Sequence, residues 1–172
     1  TISVNWSGHL IDDGIFTDSA LAIAGAASGK LCLEVTETAI IGNARLARQT
    51  LERFRAAGLT ISIDDYGSGL SSLAYLKNIP ADELKIDKAF VMNMATDAVD
   101  AVLVRAAVSL AHSLGLQVVA EGVEQQAALE LLGAMGCDLA QGYLIARPMP
   151  LADLVAFLDE RAVAQAERAV AV

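Results

Sequence analysis

Basic residues are scarce: 12 Lys and Arg stand against 21 Asp and Glu, for a net charge of −9. That balance excludes a domain-wide basic footprint for duplex nucleic acid. An anionic substrate would need metal ions or a local cluster of cations. Cysteine is almost missing, and Cys32 and Cys137 share no CxxC or paired spacing. Free thiols in a reducing cytoplasm are expected, not a disulfide. His9 and His112 stand near no second His or Cys, so zinc is not expected and both read as structural or exposed. Aromatics reach only 5% while hydrophobic residues reach 55%. Core volume must then come from Leu, Val, Ile and Ala, as in helix-covered α/β proteins. Long apolar runs are absent as well. Lys30 breaks one window, Arg105 and His112 another, and none reaches the ~18 residues of a membrane span. No direct membrane insertion of this domain is expected.

What is present is a sixfold alternation of strand-like and helix-like stretches. Strands are expected at 1–6, 30–37, 59–65, 84–87, 116–121 and 138–144. Helices are expected up to about Ala27 with a break near Gly14, over 44–57 behind an Asn43 cap, and over 70–78, 97–114 and 125–135. A last helix begins near Leu151, after Pro148 and Pro150. Leu103, Ala106, Ala107, Leu110 and Leu114 form the expected apolar face of the longest inner helix.

Such alternation implies parallel strands with helical crossovers, which fits both an open doubly wound sheet and a (β/α)8 barrel. The polar residues choose between them. Asn5, Glu34, Asp64, Lys85, Glu121 and Gln141 each lie at or near the C-terminal end of an expected strand, 20 to 36 residues apart. Strand side chains alternate faces. Leu31, Leu33 and Val35 therefore share a helix-facing side, and Glu34 shares the other with Cys32. Asp64 is opposed to Ile61 and Ile63 in the same way, and Lys85 to Leu84 and Ile86. One inward polar residue per strand, at the same end, is the layout of a barrel with its active site on the C-terminal rim. An open sheet would gather its ligands at one switch point. The expected fold is a TIM-like (β/α)8 barrel, with about six βα units in this chain. Thr1 starts inside a strand, so two more units are expected before it.

The adjacent pair Asp64-Asp65 ends a β-branched run and is followed by Tyr66-Gly67-Ser68-Gly69. Two neighbouring anions repel unless a cation lies beside them, and hard carboxylate oxygens suit Mg²⁺ or Mn²⁺. In a barrel, Asn5, Glu34, Asp64, Asp65 and Glu121 converge on one pocket. A bridging carboxylate beside a second ligand is how two-metal hydrolases hold ions about 3.5–4 Å apart. Lys85 supplies a cation for a phosphate oxygen or for the attacking water. Glu121 is a candidate general base, acting directly or as a metal ligand. Glu37 and Glu124 each follow a site carboxylate by three residues, either as clamps for the glycine loop or as plain loop residues. Gly67-x-Gly69 is too short for a dinucleotide fingerprint and reads as a mobile loop beside the site. Tyr66 and Tyr143 are placed either to stack on a base or to pack.

These residues also carry a family resemblance. Val4-Asn5-Trp6-Ser7 resembles V-N-L-S, and Leu33-Glu34-Val35-Thr36-Glu37 resembles L-E-I-T-E. The run from Asp64 to Leu73 resembles D-D-F-G-T-G-Y-S-S-L, Leu84-Lys85-Ile86-Asp87 resembles L-K-I-D, and Val119 to Glu124 matches V-A-E-G-V-E. Gln141-Gly142-Tyr143, with Arg147-Pro148 beyond it, resembles the closing Q-G-Y segment. The chain is thereby similar to the EAL domains, bacterial phosphodiesterases that hydrolyse cyclic di-GMP, over residues 1–160. Residues 161–172 are left as a helical tail.

The resemblance implies that Asn5, Glu34 and Asp64 are metal ligands with Asp64 bridging, and that Asp65 serves the second of two divalent cations, Mg²⁺ or Mn²⁺. It implies Glu121 as metal-bound base, Lys85 as the holder of water or phosphate, Gln141 as part of the substrate pocket, and Glu37 as the brace of the loop after Asp65. The product would be linear pGpG. A homodimer and neighbouring sensory or diguanylate cyclase domains are implied as well, in a cytoplasmic setting. Trp6, Tyr66, Ser68 and Leu70 are mild departures from the pattern. The E-A-L segment itself has no counterpart within the 172 residues and is expected upstream, so this chain alone is expected to be inactive and its parent active. The alternatives are a degenerate receptor that binds cyclic di-GMP without turnover and a non-catalytic interaction module.

Overall fold

The computed structural model describes residues 1–11, 13–26, 30–67 and 76–170, and side chains only as far as Arg161. Among these residues lie six strands: β1 (Ile2–Asn5), β2 (Leu31–Thr36), β3 (Thr60–Tyr66), β4 (Glu83–Ile86), β5 (Gln117–Ala120) and β6 (Leu139–Ala140). The helices are α1 (Gly14–Ala26), α2 (Glu37–Gly42), α3 (Ala44–Ala56), α4 (Lys88–Val91), α5 (Ala98–Ser113), α6 (Gln126–Met135) and α7 (Leu151–Val170). A single 3-10 turn, Gly8–Leu10, precedes α1 and carries His9. The helix expected at 70–78 lies, up to residue 75, outside the described residues. So do Ser68 and Gly69 of the expected mobile loop.

Local chemistry accounts for most boundaries. The Asn43 side chain accepts from Leu46 N–H at 3.3 Å and starts α3, as expected. Asp97 accepts from Val99 N–H at 2.7 Å and starts α5. Two short helices were not expected. In α2 the chain passes from strand to helix at Thr36 with no glycine or proline between them. In α4 the Asp87 carboxylate caps a single turn, accepting from Ala89 N–H at 2.7 Å. The last strand is shorter than the expected 138–144. Gly142 presses against the backbone of Val123, where a Cβ would stand 2.2 Å from the Val123 oxygen. There the chain leaves the ladder and turns.

Every strand is parallel to its neighbour, and the order across the sheet is β1-β2-β3-β4-β5-β6. A doubly wound sheet reverses its order at a switch point. This order never reverses, as the wall of a barrel requires, and the six βα units make a partial barrel. The core lies between the convex face of the sheet and the helices. Val35, Ile61, Ile63 and Leu84 from the strands and Leu51 and Phe54 from α3 are fully enclosed. Each such side chain contributes about 1.5–3 kcal/mol through its burial. Phe54 also meets Trp6 edge-on, with ring centroids 4.9 Å apart. Phe54→Ala is expected to cost about 3–5 kcal/mol in a urea unfolding titration, because the cavity adds to the lost transfer energy.

The expected apolar face of α5 is displaced. Val104, Ala107, Val108 and Ala111 are buried, whereas Leu103 is 46% exposed and Ala106 is exposed. The helix is apolar most of the way round, so its periodicity admits two faces, and packing on β4 and β5 selects one. At its end His112 Nε2 pairs with Asp138 at 2.9 Å, beside β6. The Asp138 carboxyl is lowered by that hydrogen bond and by the Val118 N–H. Cys32 and Cys137 are free thiols. Burial, aided by the Glu83 charge, pushes the Cys32 thiol up to about 11. Among the described residues no helix is long and apolar enough to cross a membrane.

Candidate metal centre

The concave face is polar across β1 to β4, where its inward positions are Ser3, Cys32, Glu34, Ser62, Asp64, Glu83 and Lys85. Register then gathers the strand ends. Asn5 pairs with Glu34 across β1 and β2, and Thr36 pairs with Asp64 across β2 and β3. Glu121 lies just past β5, its N–H donating to Ile86 O at 3.2 Å. Gln141 lies just past β6, its N–H donating to Ala120 O at 2.8 Å.

Adjacent residues of a regular strand face opposite sides, so Asp64 and Asp65 need a device to face the same site. The device is a β-bulge. Ile63 pairs with Leu84 and Tyr66 with Ile86, which leaves Asp64 and Asp65 together opposite the single residue Lys85. Asp65 takes φ +56, the only positive φ outside glycine among the described residues. Its N–H donates to Asp64 Oδ1 at 3.1 Å. The extra residue and the left-handed backbone turn Asp65 toward its neighbours. One carboxylate oxygen each from Asp64, Asp65 and Glu121 then lies within 4.8 Å of the others.

Lys85 is the counter-charge. Its Nζ stands 2.7 Å from Glu121, 3.0 Å from Glu34 and 3.1 Å from Asp64, and its side chain is 4% exposed. Burial works against the ammonium, but hydrogen bonds and charge from Glu121, Glu34 and Asp64 outweigh it and hold Lys85 above its ordinary value. The carboxyls feel the opposite pressure. Burial, then the charges of Asp64 and Asp87, raise Asp65, although its outer side is exposed. Burial raises Glu121, and Lys85 offsets only part of the effect. Three carboxylates thus meet one ammonium, and a fourth, Asp65, stands beside two of them. Such a set of hard oxygens, with no sulfur or imidazole among them, fits Mg²⁺ or Mn²⁺.

The remaining site candidates divide. Glu37 is buried, and its Oε2 accepts from Gly67 N–H at 3.1 Å, so it clamps the loop after Asp65. Glu124, Gln141 and Asn5 have exposed side chains at the rim. Tyr66 is buried and packs in the core. Tyr143 is half exposed, and the Arg147 guanidinium sits 4.5 Å above its ring. Sequence reading missed the bulge and with it the geometry of Asp65. Its one signal was the unusual run of two acids followed at once by a glycine turn.

Comparison with known proteins gives a consistent picture. The model of the family described as EAL domain matches residues 1–148. The chain is 49% identical over 126 residues to the bifunctional diguanylate cyclase/cyclic di-GMP phosphodiesterase MucR of Pseudomonas aeruginosa, covering 73% of this chain and 18% of that protein. The PaMucR phosphodiesterase structure, a c-di-GMP complex, superposes with a TM-score of 0.84 at 43% identity, over 90% of this chain and 64% of that one. BlrP1 of Klebsiella pneumoniae, solved as a manganese/cy-diGMP complex, gives 0.77 at 30% identity, over 85% of this chain and 38% of that one.

Proposed function

We propose that this chain, which belongs to the EAL domain family, carries the better part of the catalytic centre of a metal-dependent phosphodiesterase that opens cyclic di-GMP to linear pGpG. The observation that carries the reading is the convergence of Glu34, Asp64 and Glu121 on Lys85, with Asp65 turned in beside them by the bulge. The named activity of MucR and the c-di-GMP of the PaMucR complex supply the substrate class.

Asn5, Glu34, Asp64, Asp65 and Glu121 would hold two divalent cations. When bound, such ions polarise a phosphoryl oxygen and acidify a water molecule. Glu121 accepts the proton of the attacking water at a carboxylate oxygen. Lys85 keeps its proton at Nζ, where three N–H groups serve Glu34, Asp64 and Glu121, and one of them would turn to a phosphate oxygen when substrate binds. Gln141, and Glu124 nearby, line the rim where the nucleotide enters, and Glu37 keeps the Asp65 loop in place. One water adds to phosphorus, the bond from phosphorus to the 3′ oxygen breaks, and that oxygen leaves with a proton. The linear product retains a 5′ phosphate.

The reading extends to the whole protein. Residues 1–160 are the part of the EAL domain that this chain carries, without its N-terminal βα units, and 161–172 are a helical tail, in a cytoplasmic protein. Val99, Val102 and Leu103 form an exposed apolar strip on α5 that suits a homodimer. The chain spans 18% of MucR's length, and further sensory or diguanylate cyclase domains fit the two activities in that relative's name. The test is turnover by the full-length protein with Mg²⁺ or Mn²⁺, with Ca²⁺ as a competing ion. Linear pGpG as product supports the proposal. Tight binding without turnover would establish the receptor alternative, and the absence of both would overturn the reading.

A further inference from the structure

We infer that the four-residue helix α4 is a bracket that positions Asp65, and that Phe90 is the positioning residue through which it acts. The inference rests on the reading of Asp65 as an ion ligand given above. Asp65 holds φ +56, a conformation that a non-glycine residue keeps only where its surroundings impose it. Two residues later, Gly67 is gripped from both sides. Glu37 Oε2 accepts its N–H at 3.1 Å. On the other side the Phe90 ring lies so close that a Cβ on Gly67 would stand 2.8 Å from Phe90 Cε2, at φ +99. Only glycine permits that approach.

Phe90 is itself fixed to the strands that carry the site. Its N–H donates to Asp87 O at 3.2 Å, and Asp87 N–H donates to Tyr66 O at 3.4 Å. The same helix braces the opposite carboxylate. Gly122, directly after Glu121, has φ +69, and a Cβ there would stand 2.5 Å from Lys88 Cβ. One turn of helix, two residues beyond the strand of Lys85, therefore touches both the turn that presents Asp65 and the turn that presents Glu121. The ring and Gly67 both border an apolar cavity of about 380 Å³ that is also lined by Leu103 and Ala107. A smaller side chain at position 90 leaves space into which Gly67 can retreat. Asp65 then relaxes toward extended backbone and its carboxylate swings off the site.

The experiment is a Mn²⁺ titration of the full-length protein, followed by calorimetry and by electron paramagnetic resonance, for wild type and Phe90→Leu. Wild type is expected to take up two ions with the spectral signature of a coupled pair. Phe90→Leu is expected to keep the first ion's affinity within about twofold and to weaken the second by about tenfold or more, in the range for residues that support a ligand. Its turnover should fall at limiting Mn²⁺ and recover at saturating Mn²⁺. Phe90→Met, which also removes the ring but keeps a flexible apolar chain to anchor the helix, carries the test if Phe90→Leu does not fold. Equal weakening of both ions, or of neither, overturns this inference and leaves the site reading intact. A wild-type protein that takes up no Mn²⁺ overturns both.

Discussion

Asp64→Asn is expected to lower turnover of cyclic di-GMP by at least about a thousandfold, equal to about 4 kcal/mol of transition-state stabilisation. The substitution is close to isosteric. The Asn oxygen can still accept from Asp65 N–H and from Lys85, so the bulge keeps its hydrogen bonds. Only the charge is lost. Asp64 is also a source of the repulsion that raises Asp65 and Glu121, so both carboxyls should fall back toward their ordinary range. The metal-free variant should unfold no earlier than wild type. Steady-state rates at saturating Mn²⁺ with a thermal melt in EDTA make the check. Turnover within tenfold of wild type would remove Asp64 from the proposed ligand set.

Lys85→Met is expected to act mainly on stability. The ammonium is nearly enclosed and faces Glu34, Asp64 and Glu121 at hydrogen-bond distance. Its removal strands buried carboxylates without a counter-charge, which costs about 3–5 kcal/mol. Two features distinguish this from ordinary core damage. Divalent ions should restore much of the loss by mass action, about 2.7 kcal/mol at a hundred times the dissociation constant. Lowering the pH should also restore stability, because carboxyls raised above their unfolded values favour the native state once protonated. Urea titrations in EDTA and in Mn²⁺, at neutral and mildly acid pH, measure both. A loss insensitive to ion and to pH would show that Lys85 packs and does not neutralise.

The inward parity of Glu34, Asp64 and Lys85 was legible in the sequence because each alternates with large aliphatics that demand the convex face. Barrel-type strand order followed from the same residues, since their spacing set one per βα unit. Asp65 was legible as chemistry but not as geometry. Simple alternation points it away from Asp64, and only the extra residue opposite Lys85 turns it back. The face of α5 was not legible, because a helix apolar all round leaves the choice to its neighbours. Phe90 passed unnoticed because its importance lies in what it touches: a lone aromatic in a four-residue helix has no periodicity to announce it.

The unbroken order of the sheet also sets a timetable for synthesis. Glu34, Asp64, Lys85 and Glu121 arrive on successive strands, and none can be supplied early by a distant segment. A ribosome adding about 5–20 residues per second needs roughly 4–17 s between Glu34 and Glu121. Through that interval the nascent chain holds an incomplete ligand set. Lys85 emerges before Glu121, so its ammonium can meet Glu34 and Asp64 and offset part of their charge while the last carboxylate is still being made. On the proposed reading of these residues as an ion site, the full ligand set comes together only when β5 docks.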